Sequence, residues 1–117
     1  LQNFKLVIEY DGTAYQGWQR QNEGTTIQGT IEAALESMTK NPVTLIGSGR
    51  TDAGVHALNQ VANFRTDTAL TPEIFKRGLN SLLPPDIVIK DCTTVDDAFH
   101  ARYSARSKVY QYRILNR

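Results

Sequence analysis

The sequence predicts an α+β sandwich: a sheet of about five strands with two helices on one face, in the order β-α-β-β-α-β-β. Three observations lead there. Short stretches alternate apolar and polar residues, the period of a half-buried strand. Two longer segments space their apolar residues by three and four, the period of an amphipathic helix. Each helical segment falls between strand patterns, so both helices cross one shared sheet and leave its other face open.

Phe4, Leu6, Ile8 and Tyr10 alternate with Lys5, Val7 and Glu9 and form the first strand. Asp11-Gly12-Thr13 ends it with turn chemistry. Residues 14–24 are polar around Trp18 and read as a long loop. Thr25 and Gln28 fit a capping box, and Ile27, Ile31, Ala34, Leu35 and Met38 follow at helical spacing. Asn41-Pro42 stops that helix. Val43 to Ile46 is a short second strand, and residues 60–66 a third, with Ala62 and Phe64 on one face. Thr71-Pro72-Glu73 supplies an N-cap, a proline at the first helical position and an acid in the first turn. Phe75, Leu79, Leu82 and Leu83 give the second helix its buried stripe, and Pro84-Pro85 ends it. Ile87 to Lys90 is a fourth strand, residues 91–107 are irregular, and residues 108–114 alternate again as a fifth.

Length and composition bound the function. At 117 residues the chain is one domain, and 40% hydrophobic with 21% charged residues is ordinary globular usage. Apolar runs are only a few residues long, so no segment spans a bilayer as a helix. A single cysteine, Cys92, excludes an intrachain disulfide and a multi-cysteine zinc site. His56 and His100 have no metal-ligand spacing, so no metal is expected. A reducing, cytoplasmic setting is the expectation. The start at Leu1 reads as trimmed, and the end at Arg117, directly after a strand pattern, reads as a cut.

The net charge of +1 hides a segregation. Residues 1–97 hold 8 basic against 12 acidic side chains; residues 98–117 hold 5 basic and none acidic. Those five, Arg102, Arg106, Lys108, Arg113 and Arg117, are interleaved with Phe99, Tyr103, Tyr110 and Tyr112. Basic groups neutralise phosphates and aromatic faces stack on unpaired bases, so the segment suits RNA; a solubilising outer strand face is the plainer reading.

The stretch Gly47-Ser48-Gly49-Arg50-Thr51-Asp52-Ala53-Gly54-Val55-His56-Ala57 carries the chemistry. It is not a P-loop, because no Lys-Ser/Thr follows its last glycine, and its glycine spacing is not that of a dinucleotide site. It offers one carboxylate, Asp52, with Arg50 two residues earlier. In extended backbone both project to the same side, and the guanidinium would keep the carboxylate ionised, as a nucleophile requires. The plainer reading is a strand-connecting turn with a surface ion pair.

The string from Gly49 to Ala57 closely resembles the signature of the TruA family of tRNA pseudouridine synthases. Tyr10-Asp11-Gly12-Thr13-Ala14-Tyr15-Gln16-Gly17-Trp18-Gln19 is similar to the family's opening motif. Gln60-Val61-Ala62-Asn63-Phe64, Asn80-Ser81-Leu82-Leu83-Pro84-Pro85-Asp86-Ile87, Phe99-His100-Ala101-Arg102-Tyr103-Ser104-Ala105 and Lys108-Val109-Tyr110-Gln111-Tyr112 resemble later blocks, in order, from about residue 4 to the end.

The resemblance implies a ferredoxin-like half-domain, the single N-terminal domain 1–117 of an enzyme whose C-terminal domain is absent from this chain. It implies an isomerase that converts uridine to pseudouridine in the anticodon stem-loop of tRNA by base flipping, with no cofactor. Asp52 would be the nucleophile, at C1′ of the ribose or C6 of the base. Tyr110 would stack on the flipped base and join in proton transfer. Arg50 would fill the vacated space, hold a phosphate or brace the loop. Gly49, Thr51, Gly54 and His56 would support the loop. Arg20, Arg102, Arg106 and Lys108 are candidate contacts to the RNA backbone. Trp18 either touches RNA or packs on the sheet; Asp11 makes an Asx-type turn; Cys92 is a small core residue. The partners implied are tRNA and a second subunit in a homodimer. Because the family's second half closes the cleft, the isolated chain should have little or no activity. The alternatives are a non-catalytic RNA-binding α+β module and a glycosidase-like hydrolase using Asp11 and Asp52.

Overall fold

The computed structural model describes residues 1–18, 25–49 and 54–101. Within them run β1 (Gln2–Tyr10), α1 (Ile27–Thr39), β2 (Leu45–Gly47), β3 (Ala57–Thr66), α2 (Pro72–Leu82) and β4 (Ile87–Val95). The strands form one sheet in the order β2-β3-β1-β4, and every neighbouring pair is antiparallel. The class is α+β, as expected. The sheet has four strands among the described residues rather than about five; the expected strand at 108–114 lies outside them.

Alternation in β1 works as the sequence reading requires. Phe4, Leu6, Ile8 and Tyr10 are all buried, while Lys5, Val7 and Glu9 face the other way. Register places Phe64 opposite Phe4 and Ala62 opposite Leu6, so the apolar phases of β1 and β3 coincide on one face. There Phe75 of α2 meets both rings edge-on, at 4.9 and 5.2 Å between centroids, and Phe4 stacks on Phe64 at 5.2 Å. Three fully buried rings thus join the two central strands to α2. Gly78 lets α1 approach α2: a Cβ there would lie 2.4 Å from the Met38 terminal carbon.

Both edge strands are sealed by polar side chains from the helices. On β2, Glu32 Oε2 accepts from the Leu45 N–H (2.8 Å) and Gln28 Nε2 donates to the Leu45 carbonyl (2.6 Å). On β4, Asn80 bonds both backbone groups of Ile89, at 2.8 and 3.0 Å. At these residues a helix amide or carboxylate pairs backbone groups that no neighbouring strand pairs among the described residues.

Several boundaries differ from the sequence reading, each for a physical reason. The N-cap of α1 is Thr26, whose Oγ1 accepts from the Gly29 N–H at 3.1 Å, not Thr25. The Thr25 carbonyl instead accepts from the Gln16 N–H (2.7 Å), which keeps residue 25 outside the helix. Leu82 is 52% exposed, because the chain turns extended at Leu83 and sends that side chain inward instead. β2 spans Leu45–Gly47 rather than 43–46, and β3 begins at Ala57 rather than 60. β4 continues to Val95, since pairing with β1 persists through residues the sequence reading left irregular. The α2 cap is as expected: Thr71 Oγ1 accepts from Ile74, Pro72 opens the helix and Glu73 lies in its first turn.

Cys92 is buried on the core face of β4, and burial, helped by Asp91, pushes its thiol up to about 12. It is therefore a protonated apolar filler at neutral pH.

Replacing Phe64 with Ala should cost about 3–5 kcal/mol, because the ring is fully buried and touches two others. Urea unfolding of the purified variant checks this.

Candidate active site

The loop that carries position 52 leaves β2 and enters β3, and both of its stems are tied to other parts of the chain. The outgoing stem is held from β3. The Ser48 N–H donates to the Val61 carbonyl at 2.7 Å, and Gln60 Nε2 donates to the Gly49 carbonyl at 2.7 Å. Ser48 Oγ donates to Gln60 Oε1 at 3.2 Å. Just before it, Gly47 sits against the Trp18 indole; a Cβ would lie 2.5 Å from its nitrogen. Trp18 is 2% exposed and stacks on Tyr10 at 6.0 Å, so it packs within the core rather than presenting its ring.

The returning stem is held by the turn that follows β1. Residues Gly12–Ala14 form one 3-10 turn, capped by Asp11, whose Oδ1 accepts from Thr13 N–H (3.0 Å) and Thr13 Oγ1 (2.6 Å). The Gly12 N–H donates to His56 Nδ1 at 2.9 Å, and the Gly54 N–H donates to the Tyr15 carbonyl at 3.3 Å. Gly12 lies so close to Val55 that a Cβ would fall 1.9 Å from its carbonyl oxygen. Gly54 itself has a φ of +80°, the left-handed region that glycine enters freely.

A third block reaches the same place. Tyr15 Oη donates to Asp86 Oδ1 at 2.7 Å, and the Asp11 N–H donates to the Asp86 carbonyl at 2.9 Å. Opposite the end of β1 the register shifts by one extra residue in β3, between Ala57 and Gln60, and one in β4, at Lys90, just before β1 delivers Asp11.

Electrostatics follow from these contacts. Hydrogen bonds from Thr13, first its hydroxyl and then its N–H, hold Asp11 below the usual carboxylate range, with His56 adding to the effect. His56 Nδ1 is also 3.0 Å from Asp11 Oδ1, with both side chains 61% exposed. Burial, then the bond to Asp86, raises Tyr15 well above its ordinary value, so it remains a neutral donor. A recess of about 200 Å³ lies beside this turn, lined by Glu9, Tyr10, Asp11, His56, Ala57 and Leu58.

Of the residues expected to form the site, Gly49, Gly54 and His56 are placed on the two loop stems, with Asp11 beside His56. Arg50, Thr51 and Asp52 lie outside the described residues, as do Arg20, Arg102, Arg106, Lys108 and Tyr110. Sequence reasoning missed Gln60, Tyr15 and Asp86 as supports. Gln60 left a signal: it shares the alternation phase of Ala62 and Phe64, where a buried amide needs a partner. Tyr15 and Asp86, 71 positions apart, left none.

The fold is an α+β domain in which a strand-connecting loop is braced at both stems. The family model described as tRNA pseudouridine synthase matches residues 6–104, and the chain belongs to that family. Among curated relatives it is similar to tRNA pseudouridine synthase A of Caldicellulosiruptor bescii, with 56% identity over 117 residues. The same named protein of Acetivibrio thermocellus is 53% identical over 116 residues, and that of Geotalea daltonii 55% over 116. These alignments cover 99–100% of this chain and 48% of each relative, so the chain spans about half the length of the curated relatives it matches.

Two predictions follow from the bracing. Gly12→Ala should destabilise the protein by more than about 2 kcal/mol, because the Val55 backbone must move. Gly49→Ala, where an added Cβ meets nothing within 4 Å among the described residues, should stay within about 0.5 kcal/mol; paired denaturant titrations compare them. For Tyr15 the folded pKa is raised, so the unfolded chain ionises first. Its contribution is full below about pH 10 and is lost as pH rises beyond that. Alkaline unfolding followed by circular dichroism should therefore be less steep above pH 10 in Tyr15→Phe than in the parent.

Proposed function

We propose that this chain is the N-terminal domain, with the catalytic aspartate, of an enzyme that isomerises uridine to pseudouridine in the anticodon stem-loop of tRNA. One observation carries most of the weight. Three sequence blocks, at 11–18, 47–61 and 84–87, converge to brace both stems of a loop only four residues long between Gly49 and Gly54. A turn needed only to join two strands requires no such bracing; a carboxylate that must meet a reacting atom within a fraction of an ångström does.

In this reading Asp52, kept ionised by Arg50, attacks C1′ or C6. The N1–C1′ bond breaks, the uracil turns, C5 bonds to C1′, and the bond to the Asp52 carboxylate breaks, by displacement from C1′ or by elimination from C6, which frees Asp52 again. The proton lost from C5 is balanced by one gained at N1, so atoms and electrons close without hydrolysis, oxidant or cofactor. Extruding the target base costs a few kcal/mol. Tyr110 offers a ring to stack on the flipped base and a hydroxyl for proton relay. Arg20, Arg102, Arg106 and Lys108 offer charge to the phosphates. Gly49, Thr51, Gly54 and His56 hold the loop. Action on tRNA accords with the relatives' names, and their greater length leaves room for a second half that completes the cleft; the reading places the whole enzyme in the cytoplasm as a homodimer.

The test is incubation of the protein at its full native length with a tRNA transcript, followed by chemical detection of pseudouridine. Asp52→Asn should lower the rate by about three orders of magnitude or more while leaving thermal unfolding unchanged. Residues 1–117 alone should give little or no turnover. If the parent binds tRNA but makes no pseudouridine, the chain is an RNA-binding module; if the Asn variant makes pseudouridine at the parent's rate, Asp52 is not the nucleophile.

A further inference from the structure

On His56 two hydrogen-bonding demands meet at one atom. Its Nδ1 accepts from the Gly12 N–H at 2.9 Å and lies 3.0 Å from Asp11 Oδ1. A ring nitrogen accepts with its lone pair or donates with its proton, and cannot do both at once. The Gly12 bond therefore needs a bare Nδ1, whereas the approach to Asp11 becomes a bond only when Nδ1 carries a proton. An imidazolium is protonated on both nitrogens, so gain of a proton ends the first bond and permits the second.

The two partners respond differently to that proton. Asp11 Oδ1 already accepts from the Thr13 N–H and hydroxyl, which hold the carboxyl below its usual range, so it stays an anion where an imidazole gains charge. Gly12 is buried with its backbone against the Val55 carbonyl, so an N–H left facing a ring N–H⁺ there is both unpaired and repelled. The His56 side chain is 61% exposed, which gives protons access and the ring room to turn.

Other titratable and charged groups surround the ring among the described residues. Glu9 and Tyr10 of β1 line the same recess. Tyr15 and Asp86 are bonded to each other. Lys90 of β4 reaches the Leu58 carbonyl and Asn59 Oδ1 and lies 3.9 Å from Glu9. Carboxylates, phenols and amines ordinarily change charge outside about pH 5.5 to 8, and imidazoles inside it.

We propose that His56 is a pH-operated latch. Neutral, it ties the turn after β1 to the stem that returns into β3; protonated, it passes from Gly12 to Asp11 and releases that tie. That the latch regulates catalysis rests on the function proposed above, because the stem belongs to the loop of position 52; the latch itself does not.

The experiment follows the protein at its full native length, isotope-labelled at glycine, by nuclear magnetic resonance from about pH 8 to 5.5. The Gly12 amide signal should move with the same midpoint as the His56 ring protons. Its exchange with solvent, corrected for the intrinsic effect of pH, should become about tenfold faster as the bond is lost. In His56→Asn the amide oxygen offers an acceptor that does not titrate, so Gly12 should stay protected down to pH about 5.5. His100 follows the Phe99 carbonyl that Asn3 holds at the far end of β1, and His100→Gln should respond as the parent does. A Gly12 amide that ignores the His56 titration overturns the proposal. So does a response that survives in His56→Asn or vanishes in folded His100→Gln. In the tRNA assay the parent should lose a larger share of its rate on acidification than His56→Asn, and equal losses overturn the regulation. A parent that makes no pseudouridine at any pH would sink the catalytic reading and leave the latch standing on the Gly12 result.

Discussion

The approach of Gly12 to the Val55 carbonyl is the constraint on which the rest of the site depends. No side chain fits between them, so the turn after β1 and the start of β3 close to backbone distance. That closeness aligns the Gly12 N–H with His56 and the Gly54 N–H with the Tyr15 carbonyl. It also brings Tyr15 within reach of Asp86. One missing methyl group thus allows several hydrogen bonds, each worth about 1 kcal/mol, to form around one loop. The glycine is needed here for lack of bulk, whereas Gly54 is needed for its left-handed backbone.

Stability and positioning come from different parts of the molecule. The Phe4, Phe64 and Phe75 cluster supplies much of the burial, at about 1.5–3 kcal/mol for each side chain removed from water. Exposed charge adds little: Lys90 and Glu9 meet at 3.9 Å with both side chains well solvated, a pair worth about 0–1 kcal/mol. Amide and carboxylate side chains do a third kind of work. Gln28, Glu32 and Asn80 close the sheet edges, Gln60 holds a loop stem, and Asn3 with Asn63 holds residues 96–101 against the sheet face opposite the helices. Glu32, Gln60, Asn3 and Asn63 are buried while Gln28 is half-buried and Asn80 exposed, and these bonds contribute definition more than energy.

Local chemistry was the most legible part of the fold. The Thr71-Pro72-Glu73 start of α2 and the alternation of β1 follow from capping and from a period of two, both of which act over a few residues. Errors gathered where distant partners decide. Thr25 and Thr26 are chemically equal as caps until Gln16 engages the Thr25 carbonyl. Leu82 fits the helical stripe, but the turn at Leu83 takes the inward place. β4 outlasts its apolar pattern because β1 offers a partner as far as Val95. In the candidate site, glycine spacing and the lone carboxylate marked the loop and the strand alternation marked Gln60, while nothing near Tyr15 or Asp86 announced that they would hold its stems.

The sequence by itself determined the α+β class, the placement of both helices and the ordered blocks by which the family can be recognised. These rest on periodicity, caps and residue identity, which are properties of neighbours along the chain. Only the tertiary structure decided that Gly12 meets Val55, that Asp86 meets Tyr15, and that two asparagines 60 positions apart share one buried amide contact. Such contacts depend on strand order and register, and those are set by how the whole apolar face packs, a quantity that no local window contains.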